Sequence, residues 1–180
     1  MQSSFITRLD ALNPRLTQRL TMISSLIAVV LCLLGFQWLK ARLGGAMLDE
    51  LEGYDSETLR TQMLLYGEAG RSLHLRFTVL LDSIFPFAYG AFFGGLLVFA
   101  ARGIFDKAVL LPVLAVMALD FAENIQLAML LAGFPDLAEA QIATASATTV
   151  AKIWAVRFFL FWLLGLALWK LAVAVRARLG

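Results

Sequence analysis

Cysteine and histidine are almost missing from this 180-residue chain, which holds one of each, Cys32 and His74. A single cysteine makes no intrachain disulfide and says nothing of the redox compartment. A single histidine excludes bis-histidine haem ligation and the multi-histidine zinc sites of intramembrane hydrolases. Serine-nucleophile motifs, glycine-rich phosphate loops and CxxC pairs are absent too. No metal and no cofactor is therefore expected. Charge is also scarce. Charged residues make up 16% of the chain, against about a quarter in ordinary soluble domains. A net charge of +2 is too small to point to nucleic acid as a partner.

What fills the chain instead is apolar: 61% hydrophobic residues and a mean hydropathy of +0.81. A core of this size cannot hide that much apolar surface, so lipid must cover it. Runs long enough to cross a bilayer lie at about 20–39, 75–101, 109–134 and 153–175. The expected fold class is all-α, a four-helix transmembrane bundle forming a single integral membrane domain over residues 1–180. The first run starts well inside the chain, is long enough to span, and is followed by Gln37, Trp38, Lys40 and Arg42. It reads as a span with an interfacial anchor, not as a cleaved signal peptide.

Basic residues in the short flanks set the orientation. Arg8, Arg15 and Arg19 precede span one, Arg102 and Lys107 separate spans two and three, and Lys170, Arg176 and Arg178 close the chain. The connection between spans three and four carries Asp136 and Glu139 instead. Both termini are therefore expected in the cytoplasm, with the chain in the cytoplasmic (inner) membrane. The outer loop at 41–71 holds a predicted short amphipathic helix, with Ser56 as N-cap, Leu59, Met63 and Tyr66 at helical spacing, and Gly67 at its end. Asp136 and Glu139 form a predicted capping box, so the fourth helix begins outside the membrane. The segment from Phe5 to Leu20 reads as a weakly amphipathic helix on the anionic inner leaflet.

Ionisable residues inside spans are costly and mark bundle interiors or wet cavities. Asp82, Asp120, Glu123 and Arg157 are of this kind. At 1.5 Å per residue, Asp82 and Arg157 fall roughly 10 Å below the outer interface, Glu123 roughly 16 Å and Asp120 roughly 20 Å. Asp120, Glu123 and Asn124 sit at i, i+3 and i+4 and share a face; so do Asp82 and Tyr89, seven apart. Pro86 follows Asp82 by four residues, which deprives the Asp82 carbonyl of its helical partner and kinks span two. The expected site therefore has Glu123, Asp120 and Asp82 as candidate acid/base groups and Arg157, Asn124 and Tyr89 as ligand-binding groups. Lys152 could assist or snorkel outward. His74 and Tyr54 read as interfacial, and Gln126 as a packing amide away from the acidic face.

Three stretches are similar to known sequences when taken together. They are Gly67-Glu68-Ala69-Gly70-Arg71, Asp82-Ser83-Ile84-Phe85-Pro86-Phe87-Ala88-Tyr89, and Asp120-Phe121-Ala122-Glu123-Asn124. The combination resembles uncharacterised small four-span bacterial integral membrane proteins over the middle third of the chain. That resemblance implies the spans and no activity. By architecture alone the chain is also similar to sterol-isomerase and sigma-2-receptor-like proteins, which set carboxylates around a membrane-embedded pocket. The Asp-x-x-Glu-Asn pattern departs from theirs.

The leading functional expectation is an acidic pocket, open toward the outer face, that binds a lipid-like or amphipathic ligand with a polar or cationic head. Acid–base modification of that ligand is its stronger form. Two alternatives stand beside it: a proton- or ion-coupled small transporter, acting as an oligomer, and a non-catalytic membrane partner or assembly subunit. The bland reading of the same charges is an interhelical clamp that fixes packing.

Overall fold

The computed structural model describes residues 2–102, 104 and 108–179. Among these the chain is helical, with no strand: α1 (Gln2–Asp10), α2 (Asn13–Leu16), α3 (Arg19–Leu43), α4 (Ser56–Ala101), α5 (Leu111–Gly133) and α6 (Glu139–Leu179), plus one 3₁₀ turn at Leu48–Glu50. The last four α-helices are long and apolar enough to cross a membrane. Helices α3, α4 and α6 contain the expected spans at 20–39, 75–101 and 153–175, and α5 lies within the one at 109–134. At 1.5 Å per residue the 41-residue α6 is about 60 Å long, roughly twice a hydrocarbon core.

Helix α4 packs against α3, α5 and α6, and α5 also packs against α6. Burial follows that arrangement. In the most apolar window of α4, 56% of residues are buried, against 17% in α3 and 11% in α6. Helix α3, whose apolar run at 20–39 carries no charged residue, is thus a peripheral helix. The small residues of α4 permit close approach: a Cβ on Gly95 would lie 2.7 Å from the Leu16 carbonyl oxygen.

Polar contacts show which segments share an end. Asp10 Oδ1 accepts from the Ala108 amide at 3.1 Å, joining α1 to the α4–α5 connection. Lys170, far along α6, donates to the Phe99 carbonyl near the end of α4. At the opposite end, Ser146 Oγ accepts from the Tyr54 amide at 2.8 Å. The N-terminal segment, Arg102, Ala108 and the C-terminal half of α6 therefore gather at one end, here the terminal end. Segments 44–55 and 134–139 gather at the other, the loop end. Lys107, one of the orientation-setting residues, lies outside the described residues.

Local details refine the expected caps. Asp55, not Ser56, caps α4: its Oδ1 accepts from the Thr58 amide at 2.8 Å. The amide holds the exposed Asp55 carboxyl below its usual range. Of two adjacent capping residues, the carboxylate also answers the positive end of the helix dipole. Gly67, with φ 62° and ψ 178°, interrupts the helical backbone of α4, a left-handed φ that suits a residue without Cβ. The Asp136–Glu139 capping box does not form. Asp136 donates its amide to the Gly133 carbonyl at 2.9 Å, within the turn, and α6 starts at Glu139.

Candidate functional site

Two apolar clusters hold the helices together, one toward each end. Leu97, Val98, Val113, Val116 and Phe159 belong to the terminal-end cluster. Leu39, Leu48, Met63, Leu127 and Ile142 belong to the loop-end cluster. Between the two lies a polar layer, built because the buried stripes of α4 and α5 change chemistry midway. On α4 the stripe runs Met63, Tyr66, Gly70, His74, Thr78, Asp82 and Pro86 at steps of three or four. On α5 it runs Val116, Asp120, Glu123, Asn124 and Leu127.

The layer is knitted across helices. Tyr89 Oη donates to Asp120 Oδ2 at 3.0 Å. Asn124 Nδ2 donates at 2.9 Å to the carbonyl of Asp82, the group that Pro86 deprives of its helical donor. On α6, Lys152 forms an ion pair with Glu123, and its Nζ is 3.4 Å from Asp120 Oδ1. Five of the six residues singled out from the sequence therefore meet: Asp82, Tyr89, Asp120, Glu123 and Asn124.

Arg157 does not join them. It is half exposed and pairs with Glu52 from the 44–55 segment, its guanidinium 5.2 Å from the Trp154 ring centroid. Lys152 takes the place expected for it. The reason is helical phase: five residues at about 100° each put Arg157 some 140° around α6 from Lys152. Three further residues belong to the layer. His74 is 2% exposed, buried and not interfacial. Thr149 is one turn before Lys152 and fully buried. Asp49, from the 3₁₀ turn, comes close enough to act on the charge of Asp82, Glu123, Lys152 and His74. Gln126 is a packing amide, donating to Thr148 at 3.0 Å across α5 and α6.

A cavity of about 210 Å³ adjoins the layer. Phe93, Val116, Phe159 and Leu160 are among its apolar walls, and Asp120, Lys152 and Phe85 are the lining residues nearest the loop end, with Tyr89 bonded to Asp120. The sequence reading opens the pocket toward the outer loop, whereas this cavity extends from the carboxylates toward the terminal end. Segment 44–55 is the cause. It folds back over the layer from the loop side, burying Met47, Leu48 and Tyr54.

No family model, curated protein or solved structure matches this chain. The functional reading therefore rests on the residues and their geometry. Among the described residues, no group of three or more His, Cys, Asp and Glu side chains has the disposition of a metal site. What the layer offers chemically is a carboxylate pair sharing one ammonium, a tyrosine hydroxyl as donor, and an apolar chamber beside them.

Proposed function

We propose that the chain is a four-helix bundle of the cytoplasmic (inner) membrane, with both termini cytoplasmic, that binds a lipid-like amphipathic ligand. The apolar body of the ligand lies in the cavity, and its polar or cationic head meets Asp120, Lys152 and Tyr89. The observation carrying this reading is the cavity itself, whose walls are apolar and whose charged lining residues, Asp120 and Lys152, sit together at one end. Few polar groups aimed into an apolar chamber is the usual make-up of a small-molecule site. Its volume of about 210 Å³ is below the roughly 300–1,000 Å³ of drug-sized pockets. It suits a head and the first part of a chain, the remainder passing Leu160, which is 45% exposed, into the surrounding lipid.

Charge favours a head that is not anionic. Asp82, Asp120 and Glu123 against Lys152 give three formal negative charges and one positive. Such a group holds a shared proton or a cation. In the catalytic form of the reading, Glu123 or Asp120 carries the mobile proton and Tyr89 and Asn124 fix the geometry around it. The orientation rests on the arginines and lysines that gather at the terminal end.

Co-purification tests the reading. Wild-type protein extracted in a mild detergent should carry an amphiphile in stoichiometric amount, detected by mass spectrometry of the organic extract. Val116→Phe, which fills the cavity from α5, should lose it while keeping its helicity. Equal amounts of the same molecule in both proteins would refute the assignment.

A further inference from the structure

The carboxylate layer has a second cavity on its other side. A cleft of about 430 Å³ lies where residues 54–56 pass the start of α6, with Tyr54, Asp55, Ser56, Glu139 and Ser146 in its lining. Three buried side chains link this cleft to the layer: Tyr54 in the cleft lining, 7% exposed, Thr149, 0%, and Glu123 in the layer, 1%. The Thr149 hydroxyl is close to both the Tyr54 hydroxyl and the Glu123 carboxylate. Even so, Tyr54 Oη, Thr149 Oγ1 and Glu123 Oε1 have no hydrogen-bond partner among the described residues. Buried polar atoms are almost always satisfied, and a water needs two to four such neighbours.

One face of α6 joins the two cavities. Ser146 lines the cleft, Thr149 and Lys152 lie in the layer, and Val156 and Phe159 line the apolar cavity. These positions recur at steps of three or four residues, so they form a single stripe.

We propose that Tyr54 and Thr149, bridged by water, form a proton-exchange path from the cleft at 54–56 and 139–147 to the carboxyl of Glu123. It goes beyond the ligand reading and does not depend on it. A proton entering from cleft water is taken up by the Tyr54 oxygen as that hydroxyl releases its own proton to the bridging water. The Thr149 hydroxyl hands one on in the same way, and Glu123 Oε1 accepts it. Each hydroxyl gains one O–H bond as it loses one, so the net change is protonation of one carboxylate. Burial pushes the Tyr54 hydroxyl up to about 12, which keeps it a neutral relay at working pH. Lys152 pairs with Glu123 and lies 3.4 Å from Asp120, and Asp49 and Asp82 are the other acidic groups near this carboxyl, but none of them interrupts the line of hydroxyls. Past Asp120 and its partner Tyr89 the walls are Phe93, Val113, Val116 and Phe159, which offer a proton no hydroxyl or carboxylate. The path serves the site and does not cross the protein.

Infrared spectroscopy of the full chain in detergent, with isotope-labelled glutamate, tests this. A carboxylic-acid band lost in Glu123→Gln identifies the group, and transfer into D₂O times its exchange across a pH series. Thr149→Val and Tyr54→Phe should each slow the exchange by at least about tenfold, equivalent to about 1.4 kcal/mol of added barrier. Thr149→Ser should exchange at the wild-type rate. Tyr54→Phe removes a single oxygen and serves alone if Thr149→Val does not fold. Wild-type rates in Tyr54→Phe, or no Glu123 band at any pH at which the protein stays folded, would overturn the proposal.

Discussion

Lys152 and Arg157 are both basic, both on α6, and five residues apart, yet they live in different solvents. Lys152 has a side chain only 15% exposed and divides its ammonium between two carboxylates with 7% and 1% exposure. Arg157, 44% exposed, meets a Glu52 that is 75% exposed. The first pair was withdrawn from water and lipid at a large desolvation cost that only good geometry offsets. The second is an exposed contact, reached by a side chain that climbs α6 over Trp154 toward the loop end. The lesson is that formal charge in a span identifies candidates, while helical phase decides which of them enters the interior.

The largest expected effect comes from removing the buried cation. Lys152→Met leaves buried carboxylates without their counter-ion and should destabilise the protein by about 3–5 kcal/mol, measured by thermal unfolding in detergent. Adding Glu123→Gln to Lys152→Met should restore much of that loss. A Lys152→Met protein as stable as wild type would erase the distinction between the two sites. Next comes Asn124→Leu, which strands the Asp82 carbonyl beside Pro86 and should cost about 1–3 kcal/mol. Tyr89→Phe loses one hydrogen bond to Asp120 and should cost about 1 kcal/mol. Arg157→Gln should fall within about 1 kcal/mol of wild type, with a difference that shrinks in salt.

The smallest effect sharpens the contrast with a carboxylate in water. Asp55 is fully exposed, and the Thr58 amide lowers its carboxyl in the folded state. A depressed folded value means that the cap contributes above the unfolded carboxylate value and fades as pH falls through the folded one. The difference in unfolding midpoint between wild type and Asp55→Ala should therefore be constant near neutrality and narrow on acidification. A gap that widens in acid would contradict the capping assignment.

The helices were legible because their signals are long and local. Four apolar runs, the Asp120–Glu123–Asn124 face and the loss of a donor at Pro86 all follow from spacing along one helix. The reach of Lys152 was harder to read, since its depth depends on where α6 begins. The failed capping box at Asp136 shows how little that start is marked. Asp49 was the least legible of all. It stands in a run with Glu50 and Glu52, and nothing in their spacing separates the residue that returns to the layer from the two that stay outside. That choice is made by the packing of Met47, Leu48 and Tyr54 against the loop-end cluster. The same packing closes the side on which the sequence placed the opening.

Equilibrium binding of a long-chain amphiphile to wild type, Asp120→Asn and Glu123→Gln, with thermal unfolding followed on the same samples, tests the central claim most directly. A ligand site predicts that binding collapses in at least one of the two variants while both remain folded with near-native helicity. A packing clamp predicts the opposite: unchanged binding, and variants that differ from wild type in unfolding temperature alone. That second result would contradict the account.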